Sequence, residues 1–295
     1  MKLNWIYFLP LILLAGCEKK IDFELKNATE VLSVDASIET NSDPVVILTR
    51  SLNYFSKIDA SILSDAMIKD ATVTISNGAQ THQLKRVDVV LPGDLPFSYY
   101  TTDPANPVTR ITGEEGKSYQ LTIDWNGKSY TSTTRIPVMR KQLDSVWWAK
   151  APNTPDTSTK AVLKAKVTDP PGFGDYIRYF TRVNRGSFLP GLTSVFDDQL
   201  VNNSTYTVDI DQGVNRNTEI DFDNYGFFRR GDTVTLKFCN IDKATFDFWR
   251  TVEYSYQSIG NPFSTPTKIL GNISNGALGY FGGYATRFST IVIPK

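Results

Sequence analysis

The chain has 295 residues with 31 basic and 31 acidic side chains, so its formal net charge is zero. A neutral chain has no long-range attraction to polyanions, and we expect no nucleic-acid partner. The single histidine excludes sites that need two imidazoles, and two cysteines are too few for cysteine zinc fingers or a disulfide scaffold.

Residues 1–16 have the pattern of a signal peptide. Lys2 supplies a positive charge, and the apolar run after it is shorter than the ~20 residues that a membrane-spanning helix needs. The run ends in Leu14-Ala15-Gly16-Cys17, which resembles a bacterial lipobox, where the chain is cut before the cysteine and the thiol is acylated. We predict cleavage between Gly16 and Cys17 and a lipid anchor on Cys17. The alternative is a secreted protein whose cleavage site happens to precede a cysteine.

A polar tether, residues 17–24, is followed by a long stretch in which apolar and polar residues alternate. Residues 32–39 and 71–76 alternate most clearly, and the second segment runs into Asn77-Gly78, a pair typical of hairpin turns. Short strands with turns between them are typical of a β-sandwich. We therefore predict an N-terminal sandwich domain over residues 25–138.

A second β-rich domain is predicted over residues 139–295. Pro137 interrupts strand pairing, and new alternating segments follow it, for example at 163–168. One amphipathic helix is predicted over residues 242–259, where Asp242 can cap the first turn and apolar residues recur at four-residue spacing. The predicted fold is mainly β, with two β-sandwich domains of Ig-like or related topology and this helix in the second.

Residues that could carry catalysis are few. His82 lies in a predicted hairpin strand, where packing is a more common role for histidine than catalysis. Residues 221–226 resemble part of a calcium loop, but Tyr225 and Asp232 stand where ligands of that loop are needed. A pair of carboxylates could hydrolyse glycosides, but the sequence selects no pair. We therefore predict a protein that is not an enzyme, with no catalytic residues, no metal site and no cofactor.

An aromatic segment offers a contact surface instead. Residues 91–107 are rich in proline and are predicted to form a long loop that carries Phe97, Tyr99 and Tyr100. Exposed aromatic side chains can stack on sugars or anchor a protein partner. We predict these three as contacts for a partner or ligand. The alternative is that they close the end of a sandwich core.

Nearly the full mature chain resembles a family of lipoproteins from Bacteroidota, the domain-of-unknown-function family 4249. The resemblance rests on the start of the mature chain, on first-domain strands, on two turns and on the C-terminal stretch: residues 17–23, 44–51, 70–75, 169–172, 260–263 and 272–282. It implies an outer-membrane lipoprotein often encoded beside a TonB-dependent receptor. It implies no catalytic residue.

We therefore predict an outer-membrane lipoprotein that acts as a binding or accessory module of a TonB-dependent uptake system. Its partners are then the membrane, through the lipid anchor, and the receptor, on either the periplasmic or the cell-surface face. One alternative is a surface glycan-active enzyme or glycan-binding protein. Another is a structural or adhesive envelope lipoprotein, which a flat surface with no pocket would favour.

Overall fold

The computed structural model describes residues 30–51, 60–155, 158–259, 265 and 267–295. The first part of the chain forms the strands β1 (Leu32–Glu39), β2 (Val45–Arg50), β3 (Thr72–Ser76), β4 (Thr81–Gln83), β5 (Lys85–Leu91), β6 (Leu95–Thr101), β7 (Ser118–Trp125) and β8 (Lys128–Arg135). The second part forms β9 (Gln142–Lys150), β10 (Lys160–Thr168), β11 (Tyr176–Val183), β12 (Leu189–Phe196), β13 (Thr205–Ile210), β14 (Phe228–Arg229), β15 (Thr233–Ile241) and β16 (Leu278–Val292). The described helices are α1 (Ala60–Ala66), α2 (Lys243–Gln257) and a 3-10 turn at Pro107–Thr109. Within these described ranges, no helix is both long and apolar enough to cross a membrane.

One eight-stranded sheet, here called the shared sheet, contains strands from both parts of the chain. Its order is β12-β11-β15-β16-β1-β2-β6-β5. The long strand β16 pairs in parallel with β1 on one side and antiparallel with β15 on the other. The last strand of the chain therefore joins the two parts in a single hydrogen-bonded sheet. The predicted boundary between residues 138 and 139 stays a prediction.

Each half of the shared sheet packs against its own four-stranded cover sheet. The first cover sheet has the order β4-β3-β7-β8, and the second consists of β13, β10 and β14 with β9 paired to β10. Alternate residues of β1, such as Val34 and Ile38, share a core with Ile75 and Leu121 of the first cover sheet. Leu163 and other residues of β10 share a second core with the shared sheet. The fold is mainly β with sandwich-like layers, which confirms the predicted fold class.

Helix α2 packs on the face of the shared sheet opposite the cover sheets. Phe246 and Phe248 of the helix share a third core with Ile241 and Tyr284 of the shared sheet. The Asp242 carboxylate accepts a hydrogen bond from the Thr245 amide at 2.8 Å, which satisfies a free donor of the first turn. The predicted helix and its cap are confirmed, although the helix ends two residues earlier than predicted, at Gln257.

The loop predicted over residues 91–107 is wrong for much of its length. Strand β6 occupies Leu95–Thr101 and pairs with β5 through a tight turn, in which Gly93 and Asp94 have φ values of 83° and 56°. Glycine and aspartate tolerate this left-handed backbone, so a short turn suffices where the sequence predicted a long connection. Pro96 is accepted because it lies next to the strand end, where a missing N–H costs little.

Candidate ligand-binding site

A cleft of about 460 Å³ opens on the face of the shared sheet that α2 partly covers. Asp35 and Glu39 of β1 line it together with Tyr280 and Tyr284 of β16. The register places Asp35 opposite Tyr280 and Glu39 opposite Tyr284, because β1 and β16 run in parallel. Residues far apart in the chain thus meet in one depression, which we call the charged cleft.

Arg178 of β11 lines the charged cleft and is only 3% exposed. Its guanidinium carbon lies 3.5 Å from the centroid of the Trp249 ring, so the cation stacks on the aromatic face. Its Nε donates to Ser194 Oγ at 3.2 Å and its Nη1 to the Tyr284 hydroxyl at 3.3 Å. Stacking and hydrogen bonds together hold this charge in one position.

The tyrosines of the charged cleft are fixed by one another and by α2. The hydroxyls of Tyr280 and Tyr284 lie 3.1 Å apart, and Trp249 Nε1 donates to the Tyr284 hydroxyl at 3.1 Å. Phe248 stacks on Tyr280 with 4.4 Å between the ring centroids. Burial raises the pKa of both tyrosines above the ordinary value of 10.0. Both hydroxyls therefore stay protonated and neutral at physiological pH.

Two acids, Asp35 and Glu39, line the same cleft in different surroundings. Asp35 is open to the cleft but surrounded by protein atoms, and this desolvation raises its pKa above the ordinary value of 3.8. The positive charge of Arg178 and a hydrogen bond with Tyr280 oppose that rise. Glu39 accepts a hydrogen bond from Lys237 Nζ at 2.5 Å. The cleft therefore offers fixed donors, fixed charges and aromatic walls to a polar ligand.

A buried network ties α2 to the sheet beneath the charged cleft. Ser194 Oγ donates to Glu253 Oε1 at 2.5 Å, and the Ser194 amide donates to Glu253 Oε2 at 2.9 Å. Arg216 Nη2 lies 3.2 Å from the same carboxylate and compensates its charge. Because Ser194 also accepts from Arg178, the network links the helix to this guanidinium.

A second buried network contains three carboxylates that could suggest a metal site. The ligand atoms of Asp169, Asp175 and Asp198 all lie within 4.8 Å of one another. However, Lys141 Nζ lies 2.9 Å from Asp169 Oδ1, and both of these side chains are 0% exposed. Arg140 lies 3.5 Å from Asp175. The two cations offset part of the negative charge of these three carboxylates.

The structure separates the three aromatic residues predicted as contacts. Phe97 and Tyr99 are half-buried neighbours on one face of β6, with 6.4 Å between their ring centroids. Tyr100 is buried on the other face, where its hydroxyl donates to the Ile68 carbonyl at 3.1 Å and accepts from the Ala71 amide at 3.2 Å. A side chain held in this way belongs to the core and offers no contact surface. Phe97 and Tyr99 stay predicted contacts.

The remaining sequence candidates have structural explanations where they are described. His82 is buried in β4, with Nδ1 2.8 Å from Thr109 Oγ1 and Nε2 accepting from the Asp103 amide at 3.0 Å. Asp221 accepts from the Asp223 amide at 3.1 Å, a hydrogen bond that closes a turn. Gly16 and Cys17 lie outside the described residues.

The sequence reading missed the residues of the charged cleft. Arg178 is a charged residue among the mostly apolar side chains at the start of β11 (Tyr176–Val183), but the same strand also carries Arg182, so the signal is weak. The hydrogen bond of Arg178 to Tyr284 of β16 was not predictable, because more than a hundred residues separate the two.

Comparison with known proteins identifies a family. A family model described as domain of unknown function (DUF4249) matches residues 18–289, which is most of the chain. Searches of curated proteins and of solved structures returned no match.

Proposed function

The chain belongs to the DUF4249 family, and from this premise we propose that it is a lipid-anchored binding module of the outer membrane. In this proposal it serves a TonB-dependent uptake system as an accessory protein, and it holds a polar ligand in the charged cleft. The anchor would be the acylated Cys17, which keeps the cleft close to a receptor in the same membrane. Anchoring raises the local concentration, so a modest contact is enough for a lasting association.

The observation that carries this proposal is the fixed position of Arg178 in an open cleft. Its guanidinium stacks on Trp249 and is hydrogen-bonded to Ser194 and Tyr284. A cation held in place before binding loses little entropy when a ligand arrives, which favours affinity. An open cleft with converging polar groups also favours ligand binding over a purely structural role.

Co-purification tests the accessory role. The full-length protein is extracted from its native membranes in mild detergent, and its partners are identified by mass spectrometry. We expect a large β-barrel receptor to co-purify. Ser37→Trp places a bulky side chain in the charged cleft, whereas Ser118→Trp changes an exposed serine of β7 as the matched control. Loss of the receptor only in Ser37→Trp supports the proposal. If no β-barrel is recovered, the accessory role is wrong.

A separate experiment tests the anchor. Cys17→Ser should leave the precursor unprocessed or release the protein from membranes. Cys239→Ser is the matched control, because this free thiol is buried in the fold. If Cys17→Ser is cleaved and still fractionates with membranes as the native protein does, lipidation is ruled out. Protease treatment of whole cells then distinguishes the cell-surface face from the periplasmic face.

A surface glycan-active enzyme is the second candidate, and Asp35 is the observation that favours it. A carboxyl with a raised pKa in a cleft is what a general acid requires. Glu39 lies four residues along the same strand, with about 13 Å between the two Cα atoms. Paired carboxyls of glycosidases are about 5–9.5 Å apart, so Glu39 is not the expected partner of Asp35. Turnover of nitrophenyl glycosides by the purified protein, abolished by Asp35→Asn, would replace the binding proposal with this one.

A further inference from the structure

A second cavity, here called the apolar cavity, lies on the other side of β11 from the charged cleft. Its volume is about 570 Å³, within the range of ~300–1,000 Å³ that is typical of small-molecule sites. Val167, Ile177, Val208 and Phe238 contribute to its wall, and α2 closes one side. These four side chains carry no polar atoms and favour an apolar ligand body, although Tyr206, Thr207 and Gln257 also line the cavity.

The mouth of the apolar cavity carries apolar side chains that water reaches. Leu200 is 98% exposed, and Phe196 at the end of β12 is also exposed. Exposed apolar groups at the entrance of an apolar cavity mark an entry site for an apolar molecule, because a chain in transit stays in contact with them.

Arg250 is the one cationic side chain among the described residues that line the apolar cavity. Arg250 of α2 is exposed, and its Nη1 lies 3.9 Å from Asp197 Oδ2, beyond hydrogen-bond distance. In the part of the chain that the structure describes, no hydrogen bond uses its five donors. Of the acids that line the cavity, Glu253 binds Arg216 and Asp209 lies 2.5 Å from the Lys164 ammonium, whereas the cation nearest to Asp197 is Arg250 itself.

We propose that the apolar cavity binds a single-chain amphiphile with an anionic head, of which a fatty acid is the simplest example. The tail lies among the apolar side chains, and the head group binds Arg250 at the mouth. Arg250 has donors in a geometry that matches a carboxylate. This inference uses a different surface from the charged cleft, so it stands or falls independently of the accessory role.

The test uses the full-length protein in its membrane with a palmitate analogue that carries a diazirine near the end of its chain. After irradiation, mass spectrometry identifies the labelled peptides. We expect label on peptides from β11, β13 and α2, which line the cavity. Unmodified palmitate should compete with the label, whereas hexadecanol at the same concentration should not, because it lacks the charged head.

Variants decide whether the labelled site is the apolar cavity. Arg250→Gln should lower labelling by about tenfold, the change expected when one charged hydrogen bond is lost. Arg185→Gln, an exposed arginine elsewhere, should not change it. Val208→Trp should block the cavity.

Leu200→Asp provides a variant that keeps the fold, because this side chain is almost fully exposed. It should reduce labelling, while Val108→Asp, at a residue 89% exposed in the first part of the chain, should not. Label on other peptides, or label unchanged by both Arg250→Gln and Leu200→Asp, would overturn the proposal.

Discussion

Gly279 lies so close to Val34 that no other residue fits at this point of the β1–β16 pairing. A Cβ atom on Gly279 would lie 1.8 Å from the Val34 carbonyl oxygen, and the glycine has a φ of 96°. The two residues are paired in the parallel ladder that joins the first and last strands of the shared sheet. The close approach of these backbones therefore depends on the missing side chain.

Gly279→Ala should destabilise the protein by at least about 2 kcal/mol, because both the backbone angle and the contact with Val34 oppose a Cβ atom. Gly276→Ala is the matched control. Its φ of 77° is similarly unfavourable for alanine, but no atom lies within 4 Å of the added Cβ. Chemical denaturation measures both. Equal losses in the two variants would mean that the contact with Val34 is relieved without cost.

Phe248→Ala tests the packing of α2 on the shared sheet. Phe248 is buried and stacks on Tyr280, so its removal should cost about 3–5 kcal/mol of unfolding free energy. Tyr254→Ala on an exposed position of the same helix should change stability by no more than about 0.5 kcal/mol. An unchanged melting temperature for Phe248→Ala would show that the helix is peripheral to the fold.

Local patterns predicted the elements of this fold well. The alternation in residues 32–39 predicted β1, and its apolar members Val34 and Ile38 are buried as expected. The spacing of apolar residues after Asp242 predicted α2 together with its cap. These signals work because strand and helix periods are set by neighbouring residues.

Contacts between distant residues were not predictable. The sequence shows no sign that Val34 pairs with Gly279, since parallel pairing of β1 and β16 depends on the whole fold. The charged cleft was missed for the same reason, because Asp35 and Arg178 come from distant strands. The predicted loop is wrong at Gly93-Asp94. These two residues form a tight turn between β5 and β6, and the sequence pattern does not distinguish such a turn from part of a longer connection.

The buried ion pair between Lys141 and Asp169 gives a sharp stability prediction. Lys141→Met should cost about 3–5 kcal/mol, because it leaves Asp169 as an uncompensated buried charge. Lys164→Met is the matched control, since its partner Asp209 is largely exposed and such surface pairs contribute about 0–1 kcal/mol. Denaturant titration of both variants gives the comparison. Similar losses would argue that water reaches the buried pair.

Asp35→Asn tests the raised pKa in the charged cleft through the pH dependence of stability. Desolvation by the surrounding protein atoms raises the folded-state pKa of Asp35 above 3.8, so its favourable contribution is present below pH 3.8 and is lost as the pH rises through the folded-state pKa. Asparagine carries no charge. We therefore expect Asp35→Asn to be more stable than the native protein at pH 7, and this advantage to shrink as the pH falls toward 3.8.

Asp88→Asn should be less stable than the native protein at pH 7, which is the opposite of the result expected for Asp35→Asn. A hydrogen bond from Ser98 lowers the pKa of Asp88, so this residue stabilises the fold above pH 3.8 and loses that effect as the pH falls through its folded-state pKa. Thermal melts between pH 3 and pH 8 compare both variants with the native protein.

If Asp35→Asn is less stable than the native protein at pH 7, the attraction between Asp35 and Arg178 outweighs the desolvation of the Asp35 carboxylate.

Phe97 and Tyr99 extend the face of the shared sheet that contains the charged cleft. The pairings Tyr100–Val46 and Val46–Ala36 place these three buried residues on one face. Because successive side chains of a strand alternate, Tyr99 and Asp35 share the opposite face, about 10 Å apart across two strand spacings. A partner that covers the cleft therefore also reaches the aromatic pair.

The double variant Phe97→Ala/Tyr99→Ala should weaken co-purification of the receptor and leave the melting temperature nearly unchanged, because both side chains are only half-buried. Tyr100→Ala is the contrasting variant. It removes a buried ring and leaves the Ala71 amide without its partner, so it should cost about 3–5 kcal/mol of stability. If the receptor is retained by the double variant but lost in Ser37→Trp, the interface is confined to the charged cleft.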